Sequence, residues 1–409
     1  MSKFLETYGV AIFTLVLMAI LIAFAGPLGL KIKEYTLEKA KQTEQIGKDE
    51  ITVATGGTVR PTEPDEAVDE VYCIYYDDGK MTISQNEIEP EAGRTVVRKG
   101  FYTFPRFCTN EMTTVRFVGA VKPKRCNEWF GTHYVYSNSC QKLKEIKNIE
   151  NLYTNECTTM QEMFFECESL TSLDVSNFDT NNVTNMDRMF ANCTNLTNLD
   201  VSGWNTENVK TMDSMFAGCI NLTNLDIRRW NTGNVTNMGN MFVNCKKIIN
   251  LDVSGWNTKK VTSMSYMFGG CENLTNLNIS GFDTENVTNM YRMFYECKNL
   301  ISLTLSEWHT ENVTNIGSMF EYCTNLISLD VSGWNTENVT NMNFMFSYCY
   351  GLTNLNVSGW NTENVKTMDR MFIACRSLQS ITAPQTVKEK ILNSASNTWI
   401  SSGVIWHTN

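Results

Sequence analysis

The chain has 409 residues with 34 basic and 44 acidic side chains, a net charge of −10 that argues against a general nucleic-acid binder, which needs a basic footprint. Its three histidines, His133, His309 and His407, exclude a His-rich metal site and give little basis for a His-dependent hydrolase. A hydrophobic content of 42% with 11% aromatics suffices for a core, and the length suits two or three units or one extended array.

Thr7 to Leu30 contain no charged residue, and their centre reads VAIFTLVLMAILIAFA. A helix of that length runs about 36 Å, enough for a hydrocarbon layer of about 30 Å. Residues 1–50 are therefore predicted to form one N-terminal transmembrane helix with an amphipathic extension. Three readings fit the apolar run: an uncleaved anchor, a signal peptide cut after Ala25, or the first half of a long helix continued by the charged Lys31–Glu50 segment. The lysines after the run, Lys31, Lys33, Lys39 and Lys41, favour a cytoplasmic C-terminal side by the positive-inside rule. Glu6 beside the run resembles the N-terminus of type IV pilin-like proteins, where such a glutamate helps helix packing during assembly, although no Gly precedes a processing site here.

Residues 51–70 are rich in Gly, Thr, Pro and acid and read as a linker. Residues 71–125 alternate polar and apolar, with Asp78-Gly79 between two strand-like runs as a hairpin signal. They are predicted to be a small β-rich domain, and no chemical motif stands in them.

Residues 126–383 are an array with a 26-residue period. Cys167, Cys193, Cys219, Cys245, Cys271, Cys297, Cys323, Cys349 and Cys375 mark it. Met-Phe precedes each Cys by four and three residues. Leu or Ile follows at +3 and +6, an aliphatic residue at +8 in eight units, and an aromatic such as Phe178, Trp204 or Trp230 at +11. The L-x-x-L-x-V stretch suits a short strand with two side chains on one face. The V-T-x-M-x-x-M-F-x-x-C stretch has the spacing of a helical or 3-10 turn. One unit cannot bury its apolar side, but stacked units can, which predicts a solenoid with a parallel β-sheet on one face and short helical or 3-10 turns on the other. Cys126–Cys157 resemble a degenerate first rung, and residues 384–409 a C-terminal cap made of a Pro-led helix and a final strand.

The unit NMxxMFxxCxNLTNLDVSGWNTENVT resembles the BspA-like leucine-rich-repeat surface proteins of bacteria, over roughly residues 126–383, with an aromatic where common leucine-rich repeats carry a buried Asn. The resemblance implies a cell-surface or secreted protein that adheres to a host or matrix protein or to another cell surface. It therefore implies a single-pass membrane protein with an extracellular C-terminal domain, or a secreted one if cut after Ala25. It supplies no catalytic residues, and no convergent acid, base or nucleophile set stands outside the repeats, so no catalysis is expected. The other readings are a pilin-like or secretion-associated membrane subunit and a cytosolic-facing membrane scaffold.

The column of cysteines is expected to be buried and mostly unpaired, because equivalent residues on adjacent rungs have nearly parallel Cβ vectors and nine is an odd number. Cys73, Cys108, Cys126, Cys140 and Cys157 lie off the column and are better disulfide candidates. The aromatic column is expected in the core. The outward positions of the strand carry Asp174, Asp200, Asp226 and Asp252, with Arg228 beside them; these are the candidate ligand-binding residues. Stacked aspartates repel unless Ser and Asn neighbours, Arg228, Ca²⁺ or a basic partner compensate. No cofactor, metal site or nucleic-acid partner is otherwise predicted.

Overall fold

The computed structural model describes residues 60–103, 111–131, 139–394, 400 and 403–408. The predicted membrane helix and its extension, the pilin-like Glu6, the cut after Ala25, most of the linker, Cys108 and His133 lie outside them. Among the described residues no helix is long and apolar enough to cross a membrane.

The β-rich segment begins with the hairpin that Asp78-Gly79 predicts. β1 (Val71–Tyr76) and β2 (Lys80–Ser84) pair antiparallel, Tyr72 opposite Ser84 and Tyr75 opposite Met81. Gly79 makes the turn with φ +77, and a Cβ there would lie 2.3 Å from the Glu111 carbonyl oxygen, so only glycine fits. β3 (Val96–Tyr102) pairs antiparallel on the other side of β1. β4 (Thr114–Phe117) and β5 (Glu145–Lys147) then add in parallel, giving the order β3-β1-β2-β4-β5. The sheet thus crosses from the β-rich segment into the first degenerate rung. A short 3-10 turn (Ile149–Asn151) follows. Glu63–Asn409 form one compact unit, with a continuous core from Val71 to Ile391.

In the array each rung contributes three residues centred on the second Leu of the motif. Bridges link Ser172 to Asn198 and Asn198 to Asn224. β6 (Asn250–Asp252) pairs in parallel with β7 (Asn276–Asn278). β8 (Ser302–Thr304), β9 (Ser328–Asp330), β10 (Asn354–Asn356), β11 (Ser380–Ala383) and β12 (Ile405–Thr408) make a five-stranded parallel sheet. α1 (Gln385–Asn393), entered through Pro384, lies between the last two strands and buries Val387 and Ile391.

Opposite this ladder the predicted helical turns are replaced by something else. A second parallel ladder runs from Thr159 through Asn185, Thr211, Asn237, Ser263, Asn289, Asn315 and Asn341 to Thr367. Beyond it the M-x-x-M-F-x-x-C segment is a stack of turns. The N–H groups of Glu162, Phe164 and Glu166 donate to the carbonyls of Asp187, Met189 and Ala191 in the next rung. Those of Met163, Phe165 and Cys167 donate three residues back within their own rung. A helix would spend every N–H locally and leave nothing to bind the neighbour; alternation serves both. It requires left-handed residues at the fifth and first positions before each Cys, such as Glu162 and Glu166 or Arg188 and Asn192, with φ of 53 to 61. Each costs about 1–2 kcal/mol for a non-Gly residue, offset by the bonds and the core beneath.

That core is a set of columns. Phe164, Phe190, Phe216 and Phe242 stack with centroids 5.5–5.7 Å apart and planes within 7°. Trp204, Trp230 and Trp256 stack at 6.2–6.4 Å, and the buried Trp204 indole N–H donates to the Val175 carbonyl at 3.1 Å. The aromatic position is therefore core, and its polar atom is satisfied. The column cysteines are free, and all are buried except Cys375, which is partly exposed. The thiol of Cys193 donates to the Phe164 carbonyl at 3.1 Å, and its equivalents repeat the bond up the stack. Off the column the disulfide expectation needs correction: Cys73, Cys126 and Cys157 are free and buried, whereas Cys140 is disulfide-bonded to a partner outside the described residues. Cys126 and Cys157 fill core positions like the column thiols, which removes the need for a bond.

Candidate functional site

Because Leu and Val of each rung point into the core, the residues between them point out. Leu251 and Val253 are buried and Asp252 is exposed, and the same alternation recurs along the ladder. The outward residues line a shallow open groove along the strands. One stretch is bordered by Asp174, Asn198, Asp200, Ser202, Asn224 and Asp226, and a second by Ser302, Thr304, Ser328, Asp330, Asn354 and Asn356.

The structure places Asp174, Asp200, Asp226 and Asp252 in one exposed row. Each of three turns its Oδ1 to its own rung: Asp174 accepts from the Ser176 hydroxyl at 2.6 Å and amide at 3.1 Å, Asp200 from Ser202 at 2.7 and 3.1 Å, and Asp252 from Ser254 at 2.7 and 3.1 Å. Asp226 pairs with Arg228, whose Nη2 lies 3.3 Å from its Oδ2. The Ser202 hydroxyl holds the Asp200 carboxyl below the usual range, and Ser254 does so for Asp252 with a smaller contribution from Arg228. Local hydrogen bonds and one arginine thus stabilise the row. Among the described residues no three His, Cys, Asp or Glu side chains converge to hold a metal ion. His309 sits at its corner with its carbonyl accepting from the Thr284 hydroxyl at 2.8 Å.

Sequence reasoning missed a second surface. On the turn side the positions just before each Cys vary between rungs, and in the later rungs they carry tyrosines. Tyr266, Tyr295, Tyr322 and Tyr348 occupy these positions. The signal was present as the columns where the repeat is least regular, but a search for regularity passes over them.

Parallel rungs of a leucine-rich repeat, an open groove and columns of buried aromatic residues define the class: a leucine-rich-repeat solenoid. Within it the chain belongs to the family described as "Mycoplasma protein of unknown function, DUF285", whose model matches residues 134–232, 220–325 and 298–398, more than half of the chain. No curated protein matches it. Among solved structures it is similar to a leucine-rich repeat protein from Bacteroides ovatus, with 13% identity and a TM-score of 0.37 over 84% of this chain and 100% of that one. It is also similar to a leucine rich cell surface protein from Faecalibacterium prausnitzii, with 15% identity and a TM-score of 0.37 over 85% of this chain and 96% of that one.

Proposed function

We propose that the chain is a non-catalytic protein-interaction scaffold displayed on the bacterial surface, whose strand-face groove meets an extended partner on a host cell, in matrix or on another cell. The observation that carries this reading is the groove itself: one outward polar side chain per rung, repeated at the strand spacing of about 4.8 Å, over a core that admits no ligand. Such a row offers the same weak contact many times, and weak contacts add along an extended partner. Anchorage through the N-terminal apolar run completes the reading.

The test is the triple substitution Asp200→Asn, Asp226→Asn and Asp252→Asn. Folding is preserved because the chain already makes the same turn with asparagine: Asn278 Oδ1 accepts from the Ser280 hydroxyl at 2.9 Å. Adhesion to matrix-coated surfaces should fall and lose its salt dependence. Unchanged adhesion by the folded triple variant would place the contact elsewhere. The lysines after the apolar run favour the opposite orientation, as a cytosolic-facing scaffold; protease shaving of intact cells separates the two, since only a displayed array is cut.

A further inference from the structure

The turn side carries one connected belt of rings. Tyr266 meets Tyr291 edge-on at 5.5 Å, and the Tyr266 hydroxyl accepts from Arg292 Nη1 at 2.7 Å. The Arg292 guanidinium lies 4.7 Å from the Tyr295 ring centre and 5.1 Å from that of Tyr291. Tyr295 meets Tyr322 edge-on at 6.0 Å, and Tyr322 stacks on Tyr348 at 4.3 Å with planes 3° apart. Tyr348 touches Tyr350, over which Arg376 sits at 5.4 Å. In the earlier rungs Ala191, Asn192, Ala217 and Gly218 stand where this belt later has Tyr295, Glu296, Glu321 and Tyr322.

The first part of the belt holds a cation of its own, the Arg292 guanidinium among three tyrosines. The second part repeats the chemistry without one. No guanidinium or ammonium of the described residues sits over Tyr322 or Tyr348. Beside them is Glu321, only 7% exposed, whose Oε2 has no hydrogen-bond partner. Its carboxylate is close enough to Tyr295 and Tyr322 to raise both phenols, and burial raises the Glu321 carboxyl in turn. An uncompensated buried carboxylate under two stacked electron-rich rings attracts a cation electrostatically from two sources at once. Tyrosine and arginine are also the residues that dominate the centres of protein interfaces.

We propose that the turn-side belt around Tyr322, Tyr348 and Glu321 is a docking site for a protein partner that presents an arginine or lysine side chain. The chain's net charge of −10 favours a basic partner over the whole surface, and the belt selects where it seats. This inference rests on the scaffold reading but names a different face from the groove.

The probe is the peptide Ac-Gly-Arg-Gly-Gly-Arg-Gly-amide, with its glutamate counterpart as control, titrated into the full chain and followed by calorimetry and by tyrosine ring shifts in NMR. Two variants are made: Glu321→Gln, which keeps the shape, and Tyr322→Asn with Tyr348→Asn. Asparagine already occupies the same left-handed position at Asn192 and Asn244, with φ 61, so the turn is kept. The arginine peptide should bind the parent, the glutamate peptide should not, and both variants should bind at least tenfold more weakly with melting unchanged. The inference is overturned if the parent does not take the arginine peptide, if either variant binds like the parent, or if the rings respond to a neutral oligosaccharide and not to arginine. Loss of peptide binding in the groove triple variant instead would also overturn it while leaving the scaffold reading intact. Loss of adhesion in that variant with peptide binding unchanged shows the two faces acting separately.

Discussion

Each column cysteine gives its S–H to a carbonyl one rung back and loses contact with water, and burial raises the Cys219 and Cys271 thiols to about 12 from an ordinary 9.0. Because the folded value lies above the unfolded one, the stability these thiols contribute is whole below about pH 9. It is lost as pH rises toward 12, where the unfolded chain releases protons that the folded one keeps. Unfolding by urea at pH 8, 9.5 and 11 should show a steep alkaline fall. Cys219→Ala and Cys271→Ala should each flatten that slope by up to about 1.4 kcal/mol per pH unit. The same burial should leave the thiols Cys193 to Cys349 unalkylated in the native protein and reactive without reductant once it is unfolded; a Cys193–Cys219 bond in mass spectra would contradict the stack. The constant 26-residue interval made this column legible in the sequence. The fates of Cys126, Cys140 and Cys157 were not legible, because they sit in a rung of altered spacing where no register fixes the neighbour.

The strand and the turn of one rung differ in how plainly residues encode them. In L-x-x-L-x-V an alternation of period two names the buried and exposed sides, and the structure follows it residue by residue. In M-x-x-M-F-x-x-C the spacings of three and four fit a helix equally well, and only the neighbouring rung decides otherwise, by taking every second N–H. That neighbour is invisible to a reading of one rung. The two elements also fail differently. Leu251→Asp puts a charge into the core under β6; loss of the leucine alone costs about 2–5 kcal/mol and the unpaired charge adds to it, so thermal unfolding should begin in these rungs and drop well below the parent. Ala374→Gly should do the reverse. Ala374 holds φ 57 where Gly218 and Gly270 stand in their rungs. Relief of about 1–2 kcal/mol of left-handed strain, less about 0.5–1 for glycine's entropy, leaves a modest gain readable as a raised Tm.

At the scale of the molecule, every junction between rungs is chemically alike, so whole periods are interchangeable. Deleting residues 194–219 joins Cys193 to Ile220 in register and spares both the later half of the groove and the tyrosine belt. The shortened chain should fold with a cooperative but lower Tm, whereas deleting 194–206 joins a turn to a corner and should abolish cooperative unfolding, both read by circular dichroism. The array was legible at this scale because its period is constant. The tyrosine belt was not, because it is built from departures from that period. The two parallel ladders have a mechanical consequence. Their hydrogen bonds run along the stack, so a pull between the ends loads them one interface at a time rather than all together. Each rung that yields frees 26 residues, roughly 90 Å of extended chain at about 3.4 Å apiece. A tether made this way lengthens in equal steps under tension and takes up the slack again when the tension falls, so a cell held by it would feel a sudden tug as a series of small releases.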